Sequence, residues 1–185
     1  MHFLFDLWVP ILASGLGVFF MSALVWTALP THKTEFGKFA NEDAVLAALR
    51  ASAAVPGRYV APFMGDPAAA GTPEGRARLE KGPIAHITVA PPWTPGMGPM
   101  LIKSALSSIL ISVFTAYVAW HSLPQGAAYL AVFRITGTIT FMTYSLGAMS
   151  ESIWFARPWK SFGLQAFDAL LYAGVAAGVF GWLWY

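Results

Sequence analysis

The chain has no cysteine in 185 residues and only 11% charged residues. An average soluble domain carries about 25% charge. Without thiols, a disulfide-stapled fold, a cysteine-ligated metal centre and thiol redox chemistry are excluded. The formal net charge is only +2, so the basic face that a nucleic-acid binder needs is not expected. Phosphate-loop, dinucleotide-binding and nucleophile-elbow patterns are missing. Pro95-Gly96-Met97-Gly98-Pro99 has the glycines of a phosphate loop but no suitably placed lysine, and reads as a turn. The histidines, His2, His32, His86 and His121, fall in separate segments with no HxxxH or HExxH spacing. No catalytic residue, cofactor or metal is therefore expected, and no enzymatic activity. What the chain does have is 57% hydrophobic residues, 15% aromatics and a mean hydropathy of +0.59. That is the composition of an integral membrane protein.

A hydrocarbon layer about 30 Å thick requires about 20 apolar residues in a helix. Four segments meet this: residues 4–29, 100–121, 128–150 and 162–184. The first lacks the basic start of a signal peptide and is too long for its apolar region, so it reads as a span. Residues 121–127, with Pro124, Gln125 and Gly126, make a tight turn between the second and third spans. Residues 151–161 join the third and fourth.

Residues 30–99 form an insert with ten of the thirteen prolines and thirteen of the twenty charged residues. Within it Asn41 is placed to cap a helix, with Glu42 and Asp43 favourable to the helix dipole and residues 44–51 continuing it. Thr72-Pro73-Glu74 marks a second helix start, ending near Lys81-Gly82-Pro83. Residues 58–61 and 84–90 read as strands that pair antiparallel. Residues 91–99 read as an extended strap on the membrane surface, anchored by Trp93. The expected fold is thus an all-α integral membrane protein. Four transmembrane helices carry a small mixed α/β cytoplasmic insert between helices 1 and 2. Its parts are helix 1 (1–29), insert (30–99) and helices 2–4 (100–185).

Ten of the eleven basic residues lie in the insert or flank its side, as Lys103, Arg157 and Lys160 do. Basic loops stay in the cytoplasm, so the insert is expected there and both termini outside. Trp8, Trp26, Trp120, Trp154, Trp159, Trp182 and Trp184 fall where interfacial aromatics belong.

Arg134 is costly inside a membrane, by about 2.5–3.5 kcal/mol on insertion scales. Structural pairing is the favoured reading, with Asp6 as its partner, and Thr138 and Ser145 on its stripe are expected to face protein. Lys103 and Asp168 sit at comparable depth on the opposite side. The apolar middle of every span separates the two groups, which argues against a proton relay. His32 and Glu35 form a polar cluster next to the membrane. Gly174, Gly178 and Gly181 suit close helix packing, as do Ala13 and Gly17 of the first span.

Five pieces of the chain resemble an uncharacterised family of small bacterial four-span inner-membrane proteins. They are Leu29-Pro30-Thr31-His32-Lys33, Asn41-Glu42-Asp43-Ala44, YLAVFR ending at Arg134, Ser152-Ile153-Trp154, and Phe180-Gly181-Trp182-Leu183-Trp184. The resemblance implies a multi-pass protein of the bacterial inner membrane and no activity. The function expected is that of a non-catalytic accessory or scaffold subunit of a larger membrane complex, such as a respiratory or photosynthetic one. Its partners would be the lipid bilayer and other membrane subunits. The alternative is a small transporter or channel acting as a homo-oligomer. An enzyme acting on lipid, using His32, Glu35 and His86, is the weakest reading.

Overall fold

A computed structural model describes residues 2–92 and 96–185. In chain order its elements are α1 (His2–Asp6), α2 (Trp8–Ala28), α3 (Glu42–Ala51), β1 (Gly57–Ala61), α4 (Pro73–Lys81), β2 (Ala85–Val89), α5 (Gly98–Ser122), α6 (Tyr129–Ser145), α7 (Met149–Trp154) and α8 (Trp159–Trp182). The chain is mostly helical and divides into two compact units, Met1–Phe36 with Gly96–Tyr185, and Gly37–Pro95.

In the first unit α2, α5, α6 and α8 pack in that cyclic order, each against the next, and α8 closes on α2. Three of them, α2, α5 and α8, are long and apolar enough to cross a membrane. The expected first span is interrupted at Leu7, where α1 ends and α2 begins. Pro10 explains the break: it has no N–H for the Asp6 carbonyl four residues earlier, and its ring crowds that carbonyl. The expected third span also stops early. After Ser145 the chain tightens into a 3-10 turn, Leu146–Ala148, before α7. Ser145 Oγ donates to the Phe141 carbonyl at 2.6 Å, a back-bond of the kind that bends helices.

The interior of this unit is unusually polar. Among the described residues, thirteen buried apolar ones are matched by eleven polar or charged ones. Most of the hydroxyls donate one turn back, as Thr115 does to the Ile111 carbonyl and Thr136 to that of Val132. Ser14 Oγ instead reaches across from α2 to Ser112 Oγ on α5, at 2.9 Å. In hydrocarbon such pairing substitutes for water, and small residues let backbones approach. Backbones of two helices come close at Gly15, where a Cβ would fall 2.7 Å from Ile109 Cα. Gly15, rather than Ala13, therefore makes the α2–α5 seam; Ala13 is exposed, and Gly17 lies against Val175. At one end, Leu7, Ile11, Ala116, Val132 and Phe180 form a single apolar layer. The C-terminus is tied there, with Gly126 N–H donating to the Tyr185 carbonyl and Trp184 Nε1 to that of Pro124.

The Gly37–Pro95 unit is built from two capped helices and one strand pair. Asn41 accepts from Ala44 N–H and starts α3; Thr72 accepts from Gly75 N–H and starts α4, with Pro73 at its first position. Gly82, at φ 51°, ends α4 in a conformation that disfavours a side chain. β1 and β2 pair antiparallel with Tyr59 opposite Ile87. An apolar cleft of about 420 Å³ separates Val45 and Leu49 of α3 from Val60 and Ile87 of the sheet. Of the expected 91–99 strap, Trp93 and its two following residues lie outside the described residues, and α5 already begins at Gly98.

Candidate functional site: a histidine held between two carboxylates

Pro30 stops α2 and starts a 3-10 turn, Pro30–Thr34. The turn folds His32 back against the helix it has just left, and the imidazole stacks on Trp26 with centroids 4.0 Å apart and planes within 8°. His32 Nδ1 lies 2.5 Å from Glu35 Oε2, one turn further on. His32 Nε2 lies 2.9 Å from Asp168 Oδ2, on α8 and 136 positions away in sequence. All three side chains are buried, none more than 7% exposed.

An ionised carboxylate only accepts hydrogen bonds. With both carboxylates ionised, each His32 nitrogen must carry a hydrogen, so the arrangement calls for the imidazolium. Burial opposes that charge, but the Glu35 hydrogen bond and the Asp168 charge outweigh it and hold the His32 pKa above its ordinary value of 6.5. Burial likewise opposes the Glu35 anion. Hydrogen bonds from His32 and Ser161, and the charges of His32 and Arg157, outweigh it and hold the Glu35 carboxyl below its ordinary range.

Arg157, partly exposed before α8, extends the cluster. Its Nη2 is 3.8 Å from Glu35 Oε1, and its Nη1 donates to Gln165 Oε1 at 2.6 Å. Gln165 Nε2 then donates to the Tyr144 carbonyl on α6. Counted as ions, His32 and Arg157 balance Glu35 and Asp168, and the chain of bonds ties the end of α2 to α8 and α6. Around it lies a cavity of about 300 Å³, with Tyr144 and Tyr172 among its walls. Asp168 Oδ1 is buried without a hydrogen-bond partner. Among the described residues no three His, Asp or Glu side chains are placed to ligate a metal ion.

The other sequence-selected residues are placed as follows. Asp168 is paired with His32, not with Lys103, which is exposed. Asp6 and Arg134 are not brought together. Both are exposed, and neither has an ion-pair partner among the described residues. Arg134 and Thr138 line an open groove of about 370 Å³ between α6 and α8, rather than facing the interior. Ser145 is buried. The three glycines of α8 divide: a Cβ at Gly181 would strike the Tyr129 ring, one at Gly178 would only touch the Tyr129 hydroxyl, and one at Gly174 would meet nothing. Sequence reading found His32 and Glu35 but missed Asp168 as their partner. The only signal available was that a carboxylate in an apolar span requires a partner.

Comparison of the chain with models of protein families, with curated proteins and with solved structures finds no match.

Proposed function

We propose that this chain is a non-catalytic accessory or scaffold subunit of a larger bacterial membrane complex, of the kind that converts energy in respiration or photosynthesis. The observation that carries this reading is the closure of the His32 cluster. His32, Glu35, Arg157 and Asp168 are engaged with one another, and their bonds join the end of α2 to α8 and α6. In this reading α6 is the fourth span. Its 17 residues reach about 26 Å at 1.5 Å per residue, near the short limit for crossing a bilayer. The insert lies in the cytoplasm and both termini outside the inner membrane, on the strength of the basic-residue distribution.

The test is purification from the native membrane in mild detergent, followed by mass spectrometry of whatever migrates with the chain. Stable co-migration with chains of other sequence is the expected result. A particle containing this chain alone overturns the reading. It would favour a small homo-oligomeric transporter or channel, for which the charged cavity between Trp26 and Tyr172 is the supporting observation.

A further inference from the structure

Asp6 and Arg134, neither ion-paired among the described residues, occupy related positions. Leu7 and Val132 belong to one apolar layer of the bundle. Asp6 is one residue from Leu7, and Arg134 is two residues from Val132. At about 1.5 Å of rise per residue, their backbones lie within about one helical turn in depth, a gap that an arginine side chain spans. They differ in direction. α1 lies against α5, with Phe3 packed on Tyr117, while Arg134 faces the groove between α6 and α8. Because the helices follow the order α2, α5, α6, α8 around the bundle, these are opposite edges.

The two edges are also complementary in chemistry. The groove has Arg134 beside apolar walls from Phe133, Phe141 and Leu170, and its floor over Gly174 is open. The α1 edge presents Asp6 next to Phe5, whose ring is 81% exposed. One edge therefore offers a carboxylate and an aromatic ring, and the other a guanidinium and an apolar slot. Copies inserted in one membrane share orientation and depth, so matching depth is the condition for two such edges to meet.

We propose that the chain associates with copies of itself head to tail, Phe5 and Asp6 of one copy docking in the Arg134 groove of the next. The occupant of the groove is a second copy. The contact is heterologous, using two different patches, and propagates as a ring or a row instead of stopping at a two-fold dimer. This inference concerns contacts between identical chains and does not rest on the accessory-subunit reading.

The absence of native cysteine makes the geometry directly testable in the full chain, in membranes. Phe5→Cys and Thr138→Cys in one chain should give an oxidation ladder of dimers and higher species. Each single variant alone should give none, and a mixture of the two singles should stop at dimers. Charge reversal supplies the second measurement. Asp6→Arg or Arg134→Asp alone should lower the cross-linked fraction about tenfold, in keeping with the coupling of close interfacial charges. Co-expressing the two reversed chains should restore cross-linking, because each then offers the other an opposite charge at both edges, which a pair within one chain cannot do. Cross-linking of either single variant to itself would overturn the proposal, as would no cross-linking in folded protein. So would loss of bound anionic phospholipid in Arg134→Asp with Asp6→Arg silent, which would make the groove a lipid headgroup site. Loss of a different protein chain under the same substitution would also overturn it.

Discussion

In the helical unit, thirteen apolar and eleven polar side chains are buried among the described residues, and helix contacts run between residues far apart in sequence. In Gly37–Pro95, Gly75 is the only buried residue among those described. There the structure rests on two capped helices, one antiparallel ladder of five residue pairs and a glycine against the Ala69 carbonyl. The contrast follows from what each segment can bury. A stretch of about 60 residues with few apolar side chains cannot supply a core large enough to offset its chain entropy. The helices need no such core: the bilayer forces their backbones into hydrogen-bonded form, and close packing then selects how they fit. One unit is therefore held by buried contacts between helices, whose loss is expensive, the other by caps and one exposed strand pair, whose loss is cheap.

The largest expected effect is at the histidine cluster. Asp168→Ala removes one partner of a buried charged array, a change that typically costs about 3–5 kcal/mol. Thermal denaturation in detergent should show a large loss, with Asp168→Asn milder because it keeps the shape. Equal stability of Asp168→Ala and the parent would mean that the cluster is not a clamp.

Gly15→Val should follow, at about 1–3 kcal/mol for overpacking, because even a Cβ there meets the α5 backbone. Gly163→Ala, where a Cβ meets nothing, is the matched control and should leave the transition in place.

The pH dependence sharpens the same comparison. The His32 pKa is raised on folding, so its contribution is complete below about 6.5 and is lost as pH rises through the raised value. Glu35 is lowered on folding, so its contribution is present above about 4.5 and is lost as pH falls through the lowered value. Stability of the helical unit should be greatest between these limits. The alkaline decline should be reduced in His32→Gln; an unchanged decline would place its origin elsewhere.

In the other unit, Thr72→Ala should cost about 1 kcal/mol, the usual worth of an N-cap. The change should appear as faster amide exchange across α4, with no shift in the melting of the helices. Residues 37–95 expressed alone should melt broadly; a sharp transition would show a core that burial does not reveal.

The helices of both units were legible because their signals are local. Asn41 and Thr72 announce caps three residues ahead of the amides they bind, and the strand pair could be read from residues 58–61 and 84–90. The interruption at Leu7 was also written in the chain, in Pro10, but a span count based on apolar length overlooks it. The functional cluster was half legible. His32 and Glu35 are one turn apart and visible as a pair, whereas Asp168 joins them only through the contact of α2 with α8.

Composition alone determined that this protein belongs in a membrane, because 11% charge and long apolar runs leave a chain no other place to put its surface. Short-range chemistry determined where the helices of Gly37–Pro95 begin, at the caps Asn41 and Thr72. Which charges meet was decided only by the tertiary structure. Asp6 and Arg134 are opposite in sign and matched in depth, which made them natural partners on paper, yet helix order puts them on opposite edges of one bundle. Depth can be read along a helix from its residue count. Direction around the bundle depends on which faces pack, and that is set by contacts such as Gly15 on Ile109 and Tyr129 on Gly181, between residues far apart in the chain.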